Sequence, residues 1–297
     1  MTATAQSPYR GRFAPSPTGP LHMGSLLAAL ASFLDARHNS GSWLVRMEDL
    51  DPPREEAGAA ARILDSLQSH GLHWDGDVLF QSRRGAAYAA ALEQMAAAGH
   101  LFSCDCSRAL LGPDGACCGR CRERQGQLVG PTSSRVAVPP DSHIEFTDQI
   151  QGVVSTALGA STADFVVQRK DGLYAYQLAV VVDDAWQGIS HVVRGSDLLD
   201  STARQIFLQQ LLGHPTPRYS HIPVIADGSG QKLSKQNHAP ALDDHIAPAN
   251  LRAALRFLYQ QEPPPAVATT GEILTFATRC WTPGNIPAIL AISATAH

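Results

Sequence analysis

The stretch Arg12-Phe13-Ala14-Pro15-Ser16-Pro17-Thr18-Gly19-Pro20-Leu21-His22-Met23-Gly24-Ser25 decides how the rest of the chain is read. An apolar strand enters it, prolines and a glycine turn it, and a helix leaves it. From Ser25 onward Leu26, Leu27, Leu30, Phe33 and Leu34 repeat at helical spacing, which predicts a helix whose unpaired backbone N–H groups and positive dipole end face the His22 loop. Such an end attracts phosphate. His22 can donate a hydrogen bond to a phosphate oxygen, and Gly24 leaves room for a flat ring against the backbone. Taken alone, a histidine before a helix serves equally well as a cap or a surface residue.

Far downstream, Gly228-Ser229-Gly230-Gln231-Lys232-Leu233-Ser234-Lys235 follows the strand-like run 221–226. Lysine is a flexible point charge, so two of them on a glycine-hinged loop can follow charge onto a leaving pyrophosphate; the bland reading is a solvated turn. The two segments together resemble the paired signatures of class I aminoacyl-tRNA synthetases, usually His-Ile-Gly-His and Lys-Met-Ser-Lys-Ser. Here the first ends in Ser25 and the second is followed by Gln236. Both departures are mild in the branch that handles glutamate, where the wording RFAPSPTGPLHMGSL is typical.

With 297 residues, 44% of them apolar and 17% charged, the chain can bury a large core with smaller attachments. Its formal net charge of -4 provides no global attraction to nucleic acid, so an RNA contact needs a local basic surface such as Arg108, Arg120, Arg122 and Arg124. Residues 26–34 read as a short amphipathic helix and the apolar run 286–292 is too short to span a bilayer, so a cytoplasmic protein without membrane contact is expected.

Five of the six cysteines fall between Cys104 and Cys121. Such crowding suits four thiolates about 2.3 Å from one structural Zn²⁺ better than separate disulfides. Cys104, Cys106 and Cys121 are the firm candidates, and Cys117 and Cys118 compete for the remaining place. Cys280, beside Trp281, reads as a core thiol.

The remaining pattern alternates strand and helix: a strand over 42–47, helices over 54–70 and 85–98, a strand over 163–168, a buried apolar segment over 174–182, a strand over 191–194 and a helix over 201–212. That alternation predicts an α/β fold, a Rossmann-like doubly wound parallel sheet, with a zinc-bearing insertion and a short helical C-terminal subdomain. The expected division is 1–100 and 161–240 for the two halves of the catalytic domain, 101–160 for the insertion, and 241–297 for a helical tail with helices over 247–261 and 271–281. Arg12, Glu48 and Arg194 stand where strands finish at a ligand, and Tyr176 can add a hydroxyl. Arginine forks suit carboxylates, and a carboxylate with hydroxyls suits an ammonium. Singly, each is as readily a strand-end charge or a core aromatic.

RFAPSPTGPLHMGS, RMEDLD around Glu48, YQLAVVVDD around Tyr176, VVRGSDLL around Arg194 and QKLSK follow one another as in glutamyl-tRNA synthetases and span nearly everything from residue 9 to about 240. The resemblance implies a glutamate site of Arg12, Phe13, Ala14, Pro15, Ser16, Glu48, Tyr176 and Arg194. It implies an ATP site of His22, Gly24 and Lys235, with His22, Lys232 and Lys235 as the catalytic groups and Mg²⁺ carried by ATP. In that family a zinc ligand can be a tyrosine four residues before the last cysteine; Cys117 has that spacing to Cys121, which selects Cys104, Cys106, Cys117 and Cys121. Where a glutamyl-tRNA synthetase continues into an anticodon-binding domain, this chain stops at His297. With the cysteine cluster, that resembles the glutamyl-queuosine tRNA(Asp) synthetase family. Its members activate glutamate with ATP without tRNA and attach it to the queuosine base in the anticodon loop of tRNA(Asp), and no protein partner is implied. A shortened glutamyl-tRNA synthetase acylating the 3′ end, a non-catalytic tRNA-binding paralogue and a small-molecule ligase of the same superfamily are the alternatives.

Overall fold

The computed structural model describes residues 8–112, 115–117, 119–161, 164–226 and 240–294. The first half runs β1 (Arg10–Phe13), α1 (Met23–His38), β2 (Ser42–Met47), α2 (Ala59–Ser69), β3 (Leu79–Phe80) and α3 (Gly85–Ala97). β1, β2 and β3 form a parallel sheet in that order. Proline and acidic residues at 51–56 delay α2, so a single 3₁₀ turn over Pro52–Arg54 precedes it.

Next come β4 (Leu101–Cys104), α4 (Arg120–Glu123), β5 (Ser133–Val136), β6 (Ile144–Asp148), β7 (Gly152–Thr156), α5 (Leu158–Ser161) and β8 (Val166–Gln168). β4, β5 and β8 make a small antiparallel sheet carrying the cysteines. The β6–β7 hairpin, which the sequence reading groups with the insertion, instead joins the main sheet through β6.

α6 (Tyr176–Gln187), β9 (His191–Gly195), α7 (Leu199–Leu212), β10 (Arg218–Ile222) and β11 (Val224–Ala226) complete the second half. The segment expected to be a buried apolar run is the helix α6. Its residues 178–184 are buried, so periodicity alone could not tell helix from strand. The single strand read over 221–226 is broken at Pro223, which has no N–H for a ladder. β10 pairs in parallel with β9 and β6, whereas β11 turns away to pair with β12 (Ala291–Ser293) at the chain's end. β9 runs beside β1, where Ser190 N–H donates to the Arg10 carbonyl at 3.0 Å and the Tyr9 and His191 rings stack. Set side by side through that contact, the two sheets run β3-β2-β1 and then β9-β10-β6-β7, with the chain crossing between β1 and β9. That crossing is the switch point at which open parallel sheets bind ligands.

The tail contributes α8 (Ala247–Phe257) and α9 (Thr270–Cys280), the latter started by a Thr269–Glu272 capping box. This short helical subdomain packs directly onto the first half of the chain. Leu251, Leu255, Ile273 and Trp281 share one core with α1, Trp43, Ile63 and Leu67, and β12 returns to the sheet region. This explains why α1, read as amphipathic, is buried on nearly every side from Leu26 to Ala36. A second core gathers Tyr88, Met95, residues 178–182, Val192 and Tyr219. Cys280 is only partly buried, so it is not the core thiol expected. No helix among the described residues is long and apolar enough to cross a membrane.

Candidate active site

A cleft of about 760 Å³ opens at the carboxyl ends of β1 and β9. Arg12, Phe13, Ala14, Pro15 and Ser16 line it from the end of β1, and His22 and Gly24 from the start of α1. Glu48 reaches it from beyond β2, Tyr176 from the first residue of α6, and Arg194 from β9. Every described residue proposed for glutamate or ATP thus borders one space. Lys232 and Lys235 lie outside the described residues, as does Cys118. The described residues flanking that stretch meet the cleft region: Ile225 lines it, and Leu242 N–H donates to the Leu21 carbonyl at 2.9 Å.

Beneath the cleft is a network of buried charge that the sequence reading did not include. Arg46 is wholly buried, and its Nη1 donates at 2.7 Å both to Asp184 Oδ1 and to Gln187 Oε1. Arg12 Nε donates to the same Asp184 oxygen at 3.3 Å. Burial by itself would raise the Asp184 carboxyl, but Arg46 and Arg12 hold it below its ordinary range. Arg46 was legible as a charge inside the apolar run Ser42–Met47, and Asp184 as an acid on an apolar helix.

Glu48 is the contrasting carboxylate. Its Oε1 stands 3.6 Å from Arg46 Nη2, within ion-pair range and beyond a hydrogen bond. Both atoms are buried without a hydrogen-bond partner. Burial pushes Glu48 up to about 7, against the pull of Arg46 and Arg12. An acceptor of this kind, bordering an open cleft, suits an incoming cationic donor.

Arg194 is clamped from behind. Its Nε donates to His221 Nε2 at 3.0 Å and its Nη2 to Thr202 Oγ1 at 2.9 Å, while Nη1 lies 3.5 Å from the Tyr176 hydroxyl. The guanidinium also sits over the Tyr219 ring, 5.4 Å from its centre. At the opposite wall, His22 is itself the N-cap of α1, which begins two residues earlier than Ser25. Its Nδ1 accepts the Ser25 N–H at 3.4 Å, so the ring's proton belongs on Nε2.

Cys104, Cys106, Cys117 and Cys121 are buried, and their sulfurs all lie within 4.8 Å of one another. Cys106 Sγ stands 3.4 Å from Cys121 Sγ and 3.9 Å from Cys117 Sγ. Burial pushes the Cys121 thiol up to about 11 and the Cys106 thiol higher still, whereas Cys104, against its own burial, is held below its ordinary value by hydrogen bonds with Cys106 and Cys121. A bound cation favours the thiolate form of such sulfurs. The group could hold a metal such as zinc. The neighbouring arginines are less available than their sequence suggests: Arg122 is paired with Asp164 and packs over Phe102, and Arg124 pairs with Asp105 at 2.8 Å.

Residues 9–112 and 120–252 match the family described as tRNA synthetases class I (E and Q), catalytic domain. The chain is 52% identical to a glutamyl-Q tRNA(Asp) synthetase of Thiobacillus denitrificans, over 93% of this chain and 94% of that one. It is 49% identical to a protein of the same name from Pseudomonas fluorescens, over 98% of both. In fold it is similar to a glutamate-tRNA synthetase from Elizabethkingia anophelis, with a TM-score of 0.81 and 24% identity over 98% of this chain and 68% of that chain. From the sheet, the cleft and these matches together, the chain belongs to the class I tRNA synthetases of the glutamate and glutamine group, and within them to the glutamyl-Q tRNA(Asp) synthetase family.

Proposed function

We propose that the cleft activates L-glutamate with ATP, without tRNA, and passes the glutamyl group to the queuosine base in the anticodon loop of tRNA(Asp). The observation that carries the site reading is the set of charges around one space: the Glu48 carboxylate, whose Oε1 is buried without a hydrogen bond, with two buried guanidiniums, Arg12 and Arg194, beside the N-terminus of α1. Glu48 takes the ammonium of the amino acid. Arg12 and Arg194 take its two carboxylates, Tyr176 orients the Arg194 side, and residues 13–16 shape the wall.

An oxygen of the glutamate α-carboxylate bonds to the α-phosphorus of ATP as the bond to pyrophosphate breaks. His22, through its Nε2–H, and the first turn of α1 stabilise charge on the phosphate oxygens, with Gly24 against the adenosine and Mg²⁺ entering with ATP. Lys232 and Lys235 have the chemistry to follow charge onto the leaving pyrophosphate. A hydroxyl of the queuosine cyclopentene ring then attacks the acyl carbon, and AMP leaves. Zinc on Cys104, Cys106, Cys117 and Cys121 would hold the small antiparallel sheet in shape for RNA and stay outside both steps. A cytoplasmic location follows from the substrates.

Glutamate-dependent ATP–pyrophosphate exchange should run without tRNA. After transfer, labelled glutamate should be recovered in the anticodon-loop fragment of nuclease-digested tRNA(Asp), and tRNA lacking queuosine should stay unlabelled. Label on the 3′-terminal adenosine would replace this reading with a shortened glutamyl-tRNA synthetase.

A further inference from the structure

Arg194 is the end of a row of side chains that crosses three adjacent strands. Asp148 closes β6, His221 lies on β10, and Arg194 is the register partner of His221 on β9. All three are almost completely buried. Asp148 acts only as an acceptor. Its Oδ1 takes the backbone N–H groups of Ile150 at 3.0 Å, Gln151 at 2.9 Å and His221 at 3.1 Å, and its Oδ2 lies 2.6 Å from His221 Nδ1. The proton between them therefore sits on Nδ1 of the imidazole. That leaves a lone pair on Nε2, which is what Arg194 Nε–H meets.

We propose that Asp148 and His221 are positioning residues for glutamate binding: Asp148 holds His221 in the Nδ1–H tautomer, and His221 in turn fixes the rotation of the Arg194 guanidinium. With Nε tied to His221 and Nη2 to Thr202, the Nη1 edge is the one left on the Tyr176 side, toward the cleft. A guanidinium fixed at two of its nitrogens presents a carboxylate with one geometry, so selection among acidic amino acids depends on a residue two strands away. This proposal rests on Arg194 being part of the glutamate site.

Asp148→Asn separates the tautomer from the fold. The amide keeps one oxygen for the three backbone donors and turns an N–H₂ toward Nδ1, which moves the imidazole proton to Nε2, directly against Arg194 Nε–H. Imidazole ¹⁵N shifts should change from the Nδ1–H to the Nε2–H pattern. KM for glutamate should rise roughly ten- to hundredfold while KM for ATP stays near its starting value. Thr202→Val removes the shorter of two Nη2 acceptors, the Leu198 carbonyl at 3.4 Å remaining, together with a 3.2 Å contact to His221 Nε2. It leaves Asp148 and the Nδ1–H tautomer in place and should raise glutamate KM in the same direction by less. The unaltered protein provides an independent check, because an Nε2–H tautomer at His221 overturns the proposal whatever the variant does. So does a folded Asp148→Asn protein with unchanged glutamate KM, or with glutamate and ATP affected alike. If Arg194→Ala raises glutamate KM while Asp148→Asn does not, the relay alone fails. If Arg194→Ala leaves glutamate KM unchanged, the glutamate-site reading fails and takes the relay with it.

Discussion

The cleft and the cysteine group are both built from groups that water would normally claim, yet they are assembled in opposite ways. The four sulfurs come from residues 104–121, one local segment folded on itself. The cleft network joins Arg12 and Arg46 to Asp184 and Asp148 to His221, across much longer stretches of chain. A local cluster can be lost without the rest of the fold; a network between distant strands cannot. The cleft also mixes two kinds of carboxylate, since Asp184 is held by two arginines whereas Glu48 Oε1 has no hydrogen bond. On the proposed reading, the first belongs to stability and the second to the ligand.

Asp184→Asn should have the largest effect. It leaves Arg12 and Arg46 buried against each other without their carboxylate, which should cost about 3–5 kcal/mol of stability and abolish glutamate activation, measured by urea unfolding and by exchange. A variant as stable as the parent would break the distinction between the two carboxylates.

Glu48→Gln should do the reverse. Its loss of the ammonium partner should raise glutamate KM roughly ten- to hundredfold, about 1.5–3 kcal/mol, with no loss of folding stability at pH 8. Equal changes in KM for glutamate and ATP would place the ammonium elsewhere.

The same residue predicts a pH dependence. Glu48 is held at about 7 when folded, above an ordinary glutamate, so the folded state keeps its proton longer than the unfolded one. Stability from this group is present at pH 4 and is lost as pH rises toward 7. Binding runs the other way, because only the carboxylate meets an ammonium. Glutamate affinity should rise with pH by roughly tenfold per unit below about 7 and then level off, and in Glu48→Gln that dependence should vanish.

Cys104→Ser should have the smallest effect on activation. Metal analysis should fall from about one zinc per chain to none and transfer to tRNA should drop, while exchange remains within a few-fold of the parent. A collapse of exchange would show that the cysteine group supports the cleft after all.

Much of this was readable along the chain because the signals are local. The turn from β1 into α1, the strand Ser42–Met47 and the cysteine spacing each state their structure within a few residues, by periodicity, by capping and by donor chemistry. Tyr176–Gln187 did not, because a helix covered on most sides loses the pattern that distinguishes it from a strand. The split of β10 from β11 was marked by Pro223, but only the return of Ala291–Ser293 shows where the second piece goes.

Residue types by themselves determined that a proline- and glycine-turned loop before a helix, strand-end arginines, a strand-end glutamate and a thiol cluster share this chain. Only the tertiary structure decided which charges neutralise one another and which face the cleft. Arg46 takes Asp184, Arg122 takes Asp164, and Glu48 is left with an oxygen that makes no hydrogen bond at the cleft. The reason is physical: a charge's role follows from its partners and its distance from water, and both are set by chain crossings that no local pattern encodes.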